Sequence, residues 1–162
     1  MTKQLSIRFA VSLLILLVVT SSGWAGKGRR RTPNLDPDAT VAQLLNLHNL
    51  NRAQDGEKPL AINPRLMSAA QDYAEYLART GKFSHTAEGT PGQRESESGY
   101  KHHASGENIA VGQTSAAAVV KGWMNSEGHR KNILSKNFNE VGFGVAKGKN
   151  GRIYWVTDFG HK

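Results

Sequence analysis

Two histidines and a glutamate stand at equal intervals in this 162-residue chain: His85, Glu107 and His129, each twenty-two residues from the next. Neutral imidazole nitrogens and a carboxylate oxygen suit a divalent cation such as Zn2+, and three protein ligands leave a fourth position for water. No HxxxH or HExxH pattern accompanies them, so a second reading stays open, in which His85 and His129 hydrogen-bond backbone groups at the ends of regular elements. Ser126 precedes His129 by three residues, nucleophile beside base. The sequence offers no oriented acid and no GxSxG elbow, so Ser126 is expected to bond its own helix or to line a polar pocket. Glu107, between Gly106 and Asn108, reads as a carboxylate at the start of a buried strand, where it needs partners; His85 and His129 are the candidates. His48 reads as a buried structural residue on a helix stripe, and His102 and His103 as solvated loop residues.

Regular elements must carry these groups. Asp38 is expected to cap a first helix with Val41, Leu44, Leu45 and His48 on its apolar stripe, fading near Gly56. Asn63 and Pro64 mark the start of a second helix, whose stripe is Leu66, Ala69, Ala70, Tyr73 and Leu77, and Gly81 its end. Residues 86–105 read as a long polar surface loop with at most one short helix. Residues 106–111, GENIAV, read as a strand. Thr114 or Ser115 opens a third helix running to about Ser126, with Gly128 marking its end. VGFGVA and RIYWVTDF, around the turn cluster KGKNG, form an antiparallel hairpin. The alternating glycines on one face of that hairpin leave room for a helix to pack close. The expected class is α+β, a three-layer α/β/α sandwich with a small, mostly antiparallel sheet.

The chain bounds its own setting. Lys3 and Arg8, the apolar run 9–19 and the small residues flanking Trp24 have the layout of a secretory signal, residues 1–25, cut after Ala25. The remaining 137 residues suffice for one domain with a real core. Residues 26–38 form a basic linker with Lys27, Arg29, Arg30 and Arg31, suited to touching anionic lipid or polysaccharide, and residues 39–162 form the domain. The formal charge is +8 over the whole chain. Export argues against nucleic acid as a partner, and no membrane span is expected after signal cleavage. The absence of cysteine excludes a thiol nucleophile, an iron–sulfur cluster and a cysteine zinc site.

Six segments in order, LLNLHNLNRAQDGEKPL (44–60), GKFSH (81–85), GENIA (106–110), GWMNSEGHRKNIL (122–134), EVGFGVA (140–146) and YWVTDFG (154–160), resemble the CAP superfamily of cysteine-rich secretory, antigen 5 and pathogenesis-related proteins, most closely its bacterial SCP-like branch. The resemblance spans roughly residues 40–160. It implies an α/β/α sandwich, secretion to the periplasm or medium, and a cleft lined by two histidines and two acids that binds a divalent cation in several members. Carried onto this chain, it assigns His85, Glu107 and His129 to that set. The fourth position, three residues after Trp123, is Ser126 instead of an acid. Either Glu127, one helical turn from Trp123, swings in as a substitute ligand, or the site has three members. Ser126, Asn108 and Trp123 are expected to line the cleft. His48, Asn49 and Arg52 match the family's first-helix motif, read as packing and hydrogen bonding. The function implied is a secreted binding module for a lipid, glycan or peptide, with a divalent metal as an optional element. The alternative is a metal-dependent extracellular hydrolase using the same cleft.

Overall fold

A computed structural model describes residues 36–101 and 104–161; the expected signal, most of the basic linker, and His102 and His103 lie outside the described residues. Five helices surround one four-stranded sheet: α1 Pro37–Gln54, β1 Ala61–Ile62, α2 Pro64–Thr80, α3 Pro91–Glu97, β2 Ala104–Val111, α4 Ala116–Met124, α5 Glu127–Leu134, β3 Glu140–Lys147 and β4 Ile153–His161. The strand order is β1–β3–β4–β2. β1 runs parallel to β3, and the other pairings are antiparallel. α2 covers one face, with Tyr73, Ala74 and Leu77 against Ile109, Tyr154 and Val156. The other face packs Leu44, Val119, Trp123 and Ile133, from α1, α4 and α5, against Phe143, Trp155 and Phe159. This is the three-layer arrangement expected from the strand and helix patterns.

Several of the expected boundaries move; β2 begins at Ala104, two residues inside the stretch read as loop. The cap of α1 is Asp36, not Asp38: its Oδ1 accepts from the backbone N–H groups of Asp38 and Ala39 at 3.1 and 3.2 Å, and Pro37 takes the first helical position. The helix therefore begins inside the stretch read as linker. α2 starts and stops where expected, with Asn63 Oδ1 accepting from Arg65 N–H and Gly81 ending the helix at φ 71°. The larger change is at the third helix. α4 ends at Met124, and a separate helix, α5, begins at Glu127. Gly128 lies in the first turn of that second helix instead of closing the first. The polar run Asn125–Ser126 supplies the break, since both residue types compete with helical hydrogen bonding.

The glycine face of β3 works as expected. A Cβ on Gly142 would sit 2.1 Å from the Leu66 carbonyl carbon, and one on Gly144 would sit 2.0 Å from the Ala70 carbonyl oxygen. The α2 backbone therefore lies directly on the strand. On the opposite side, Arg52 is 1% exposed. Its guanidinium donates to the carbonyls of Lys58, Ile133, Ser135 and Phe138 at 2.7–3.1 Å, tying α1 to the segment joining α5 and β3. His48 is wholly buried between Trp123, Phe143 and Phe159, with Nδ1 against the Leu44 carbonyl at 2.8 Å. Asn49 bonds both backbone groups of Leu60. The three members of the first-helix motif are thus structural.

Candidate functional site

β2 is an outer strand of the sheet, so side chains from both helical layers converge on its free edge. The loop after α2 delivers His85. It is tied down by Tyr73, whose hydroxyl donates to the Ser84 carbonyl and accepts from the Ala87 N–H. β2 delivers Glu107, whose side chain is only 1% exposed. The two meet: His85 Nδ1 lies 2.7 Å from Glu107 Oε1. The contact comes from the placement of the loop and the strand, and the equal spacing of the residues in the sequence has no part in it.

The other oxygen of Glu107 has a partner that sequence reasoning missed. Arg94, from α3, places Nη2 2.5 Å from Glu107 Oε2, with its own side chain 7% exposed. Its Cζ sits 3.4 Å over the Tyr73 ring. Nη1 donates to the carbonyls of His85, Glu88 and Gly89. α3 is set by a capping box between Thr90 and Gln93, a T-x-x-Q signature visible in the sequence inside the stretch read mainly as loop. The signature announces the helix; nothing local announces which acid its arginine will find.

Burial raises the pKa of Glu107, opposed by the charge of Arg94 and by the bond from His85. Directly across the strand pair, Asp158 is fully buried. Neither of its carboxyl oxygens has a hydrogen-bond partner among the described residues. Burial, then the neighbouring charges of Glu107 and Glu95, push its pKa well above the usual carboxyl range, which favours the neutral acid. Asp158 also escaped the sequence reading, because it sits inside an otherwise apolar strand.

His129 reaches the same edge from α5. Its pKa is lowered, first by burial and then by the charge of His85. The helix carrying it is fastened to β2 through two asparagines. Asn108 Nδ2 donates to the His129 carbonyl at 3.0 Å, and Asn132 Nδ2 donates to the Glu107 carbonyl and to Asn108 Oδ1. Asn108 is therefore a buried fastener, and Asn132 a further member that the sequence reading did not single out. Trp123 closes the edge with Nε1 donating to the Ile109 carbonyl.

Glu127 does not join the group. Its side chain is 72% exposed and pairs with Lys131 at 2.8 Å, one turn along α5. Swinging inward would strip water from a carboxylate that already has a cation beside it. Ser126 occupies the N-cap position of α5 without a side-chain capping bond. It lines a groove of about 350 Å³ together with Phe83, Ile109, Val119, Trp123 and His129. The lining is mostly apolar, with the Ser126 hydroxyl, the His129 imidazole and the Gln113 amide among it, and Phe83 is 47% exposed.

The donor set does not fit a divalent cation in this arrangement. Both oxygens of Glu107 are engaged, one of them by a guanidinium that would repel a second cation. Among the described residues, no group of three or more His, Cys, Asp and Glu is arranged to hold a metal ion. None of the described helices is long and apolar enough to cross a membrane.

Comparison with known proteins places this geometry in context. A family model described as the cysteine-rich secretory protein family, CAP, matches residues 45–159. The chain is 38% identical over 119 residues to YkwD of Bacillus subtilis (strain 168), covering 72% of this chain and 45% of that protein. It superposes with a TM-score of 0.72 on an extracellular protein containing a SCP domain from Bacillus anthracis, 29% identical, covering 80% of this chain and 45% of that one. This chain thus spans less than half the length of either relative. NaASP2, solved with Zn2+, shares the fold at a TM-score of 0.56 and 17% identity, covering 76% of this chain and 83% of its own.

Proposed function

The chain belongs to the cysteine-rich secretory protein family, CAP, and from that premise we propose that it is an exported binding module whose groove beside the His85–Glu107 pair takes a lipid, glycan or peptide ligand. The observation that carries this reading is the groove itself. Its lining combines apolar side chains, Phe83, Ile109, Val119 and Trp123, with a few polar ones, Gln113, Ser126 and His129. That composition is how ligand sites combine burial with orientation. The similarity to an extracellular SCP-domain protein supports export. Exported, the basic residues Lys27 and Arg29–Arg31 would meet anionic lipid or polysaccharide before any nucleic acid.

The hydrolase alternative gains nothing from the geometry. It needs a metal-bound water next to Glu107, and the oxygens of Glu107 are committed elsewhere.

Gly122 provides the test. It lines the groove, and a Cβ built on it meets nothing within 4 Å. Gly122→Leu therefore plugs the groove while improving helix propensity by up to about 1 kcal/mol. Fluorescence titration with a labelled long-chain fatty acid, an N-acetylglucosamine oligomer and a mixed nonapeptide pool is expected to find one class that binds the parent and loses at least ten-fold affinity in Gly122→Leu. Binding untouched by the plug, or absent for all three classes, overturns the groove reading.

A further inference from the structure

Arg94 has no place in the ligand reading, yet it is the most heavily bonded side chain of the site. Among the described residues it makes one ion pair, three bonds to loop carbonyls and one stacking contact with Tyr73. Only its Nε is buried without an acceptor. One of the three carbonyls belongs to His85 itself, so Arg94 holds that residue twice, through its backbone and through Glu107.

We infer that Arg94 is the resident cation of this cleft: it occupies the Glu107 oxygen that a divalent metal would need, leaving His85 and Glu107 as a metal-independent pair. Three observations support this. The Arg94–Glu107 contact is desolvated on both sides, so it is not a loose surface pair that a metal could part by displacing water. The guanidinium is clamped by carbonyls from the same loop that carries His85, and it cannot leave without releasing that loop. The carboxylate that might have enlarged the donor set, Glu127, points to solvent and to Lys131.

The pair has a chemical consequence. An ionised Glu107 can only accept, so His85 Nδ1 carries the proton of their 2.7 Å bond. The His85 side chain is 49% exposed. Arg94 is a positioning residue: it sets Glu107, and Glu107 sets the tautomer of His85. The inference holds whether or not the groove takes a ligand, and its test uses Zn2+ alone.

Calorimetric titration of Zn2+ into the full chain and its His85→Ala variant is expected to show no micromolar site that depends on His85. A micromolar site present in the parent and lost in His85→Ala overturns the inference. Arg94→Met keeps the stem over Tyr73 and removes the cation. It is expected to gain a His85-dependent zinc site at least ten-fold tighter than any in the parent; a folded Arg94→Met without that gain overturns the role given to Arg94. Nitrogen-15 NMR of the parent's histidines is independent of how any variant folds. His85 is expected in the Nδ1–H form, unchanged by equimolar Zn2+, and a metal-induced shift of either ring nitrogen overturns the assignment.

Discussion

Glu107 and Asp158 are direct cross-strand partners in the β2–β4 ladder, and among the described residues only the Glu107 carboxyl of the two has hydrogen-bond partners. Residues opposite each other in a sheet project to the same face, so these two carboxyl groups are neighbours on one side of the sheet, with the Arg94 guanidinium beside Glu107. Arg94 serves Glu107, and Asp158 is left to burial. Burial raises the pKa of both; Arg94 and His85 oppose the rise at Glu107, while the charges of Glu107 and Glu95 add to it at Asp158.

Asp158→Asn tests that division. A raised pKa in the folded state means that folding retains a proton the unfolded chain gives up as pH rises past the ordinary aspartate value. The favourable contribution is complete below that value and is lost as pH climbs through the folded one. Asparagine removes this dependence. Urea unfolding at several pH values is expected to show Asp158→Asn gaining on the parent between pH 4 and pH 8. A difference independent of pH contradicts a neutral Asp158.

His48 works in the opposite direction. Burial lowers its pKa from 6.5 to about 4, outweighing the bond to the Leu44 carbonyl. Between those values the unfolded chain takes up a proton that the folded chain refuses. The associated stability is present above pH 6.5 and is lost as pH falls towards 4, about 3 kcal/mol in all. His48→Leu should abolish that portion of the acid sensitivity whatever its fixed packing cost. The measurement is the difference in unfolding free energy between parent and variant at pH 7.5 and at pH 4.5.

Gly144→Ala should be among the most damaging single-methyl additions in the chain. Its Cβ would lie 2.0 Å from the carbonyl oxygen of Ala70, a backbone atom that moves only if α2 lifts from the sheet. Overpacking of this kind costs on the order of 3 kcal/mol. Gly151→Ala also adds one methyl, but there a Cβ meets nothing within 4 Å and the strain is conformational, at φ 78°. Urea midpoints should fall further for Gly144→Ala than for Gly151→Ala; the reverse order would mean that the α2–β3 contact is looser than drawn.

Much of this architecture was legible along the chain because its causes are local. Asn63–Pro64 and Gly81 bracket α2 through the backbone groups that every helix end leaves unpaired. The alternating glycines of β3 foretold a helix at contact distance, since only a missing Cβ lets two backbones approach so closely. The same local logic misplaced the cap of α1 and merged α4 with α5. Asp36 and Asp38 are equally good caps in isolation, and a two-residue break in an Ala-rich helical pattern leaves almost no periodic trace.

The sequence by itself determined the residue types, their order and the faces on which they recur, and these suffice for the layers; that His85 meets Glu107 is visible only in the fold. The tertiary structure alone decided which cation Glu107 receives. Arg94 stands thirteen residues from Glu107 on a different element, and its choice depends on how α3 settles against Tyr73. It also decided that Glu127 stays outside: an exposed carboxylate with Lys131 one turn away avoids the desolvation that entry to the cleft would require. Charge pairing in a folded protein is a competition between desolvation and contact, and both are set by packing that no local pattern encodes.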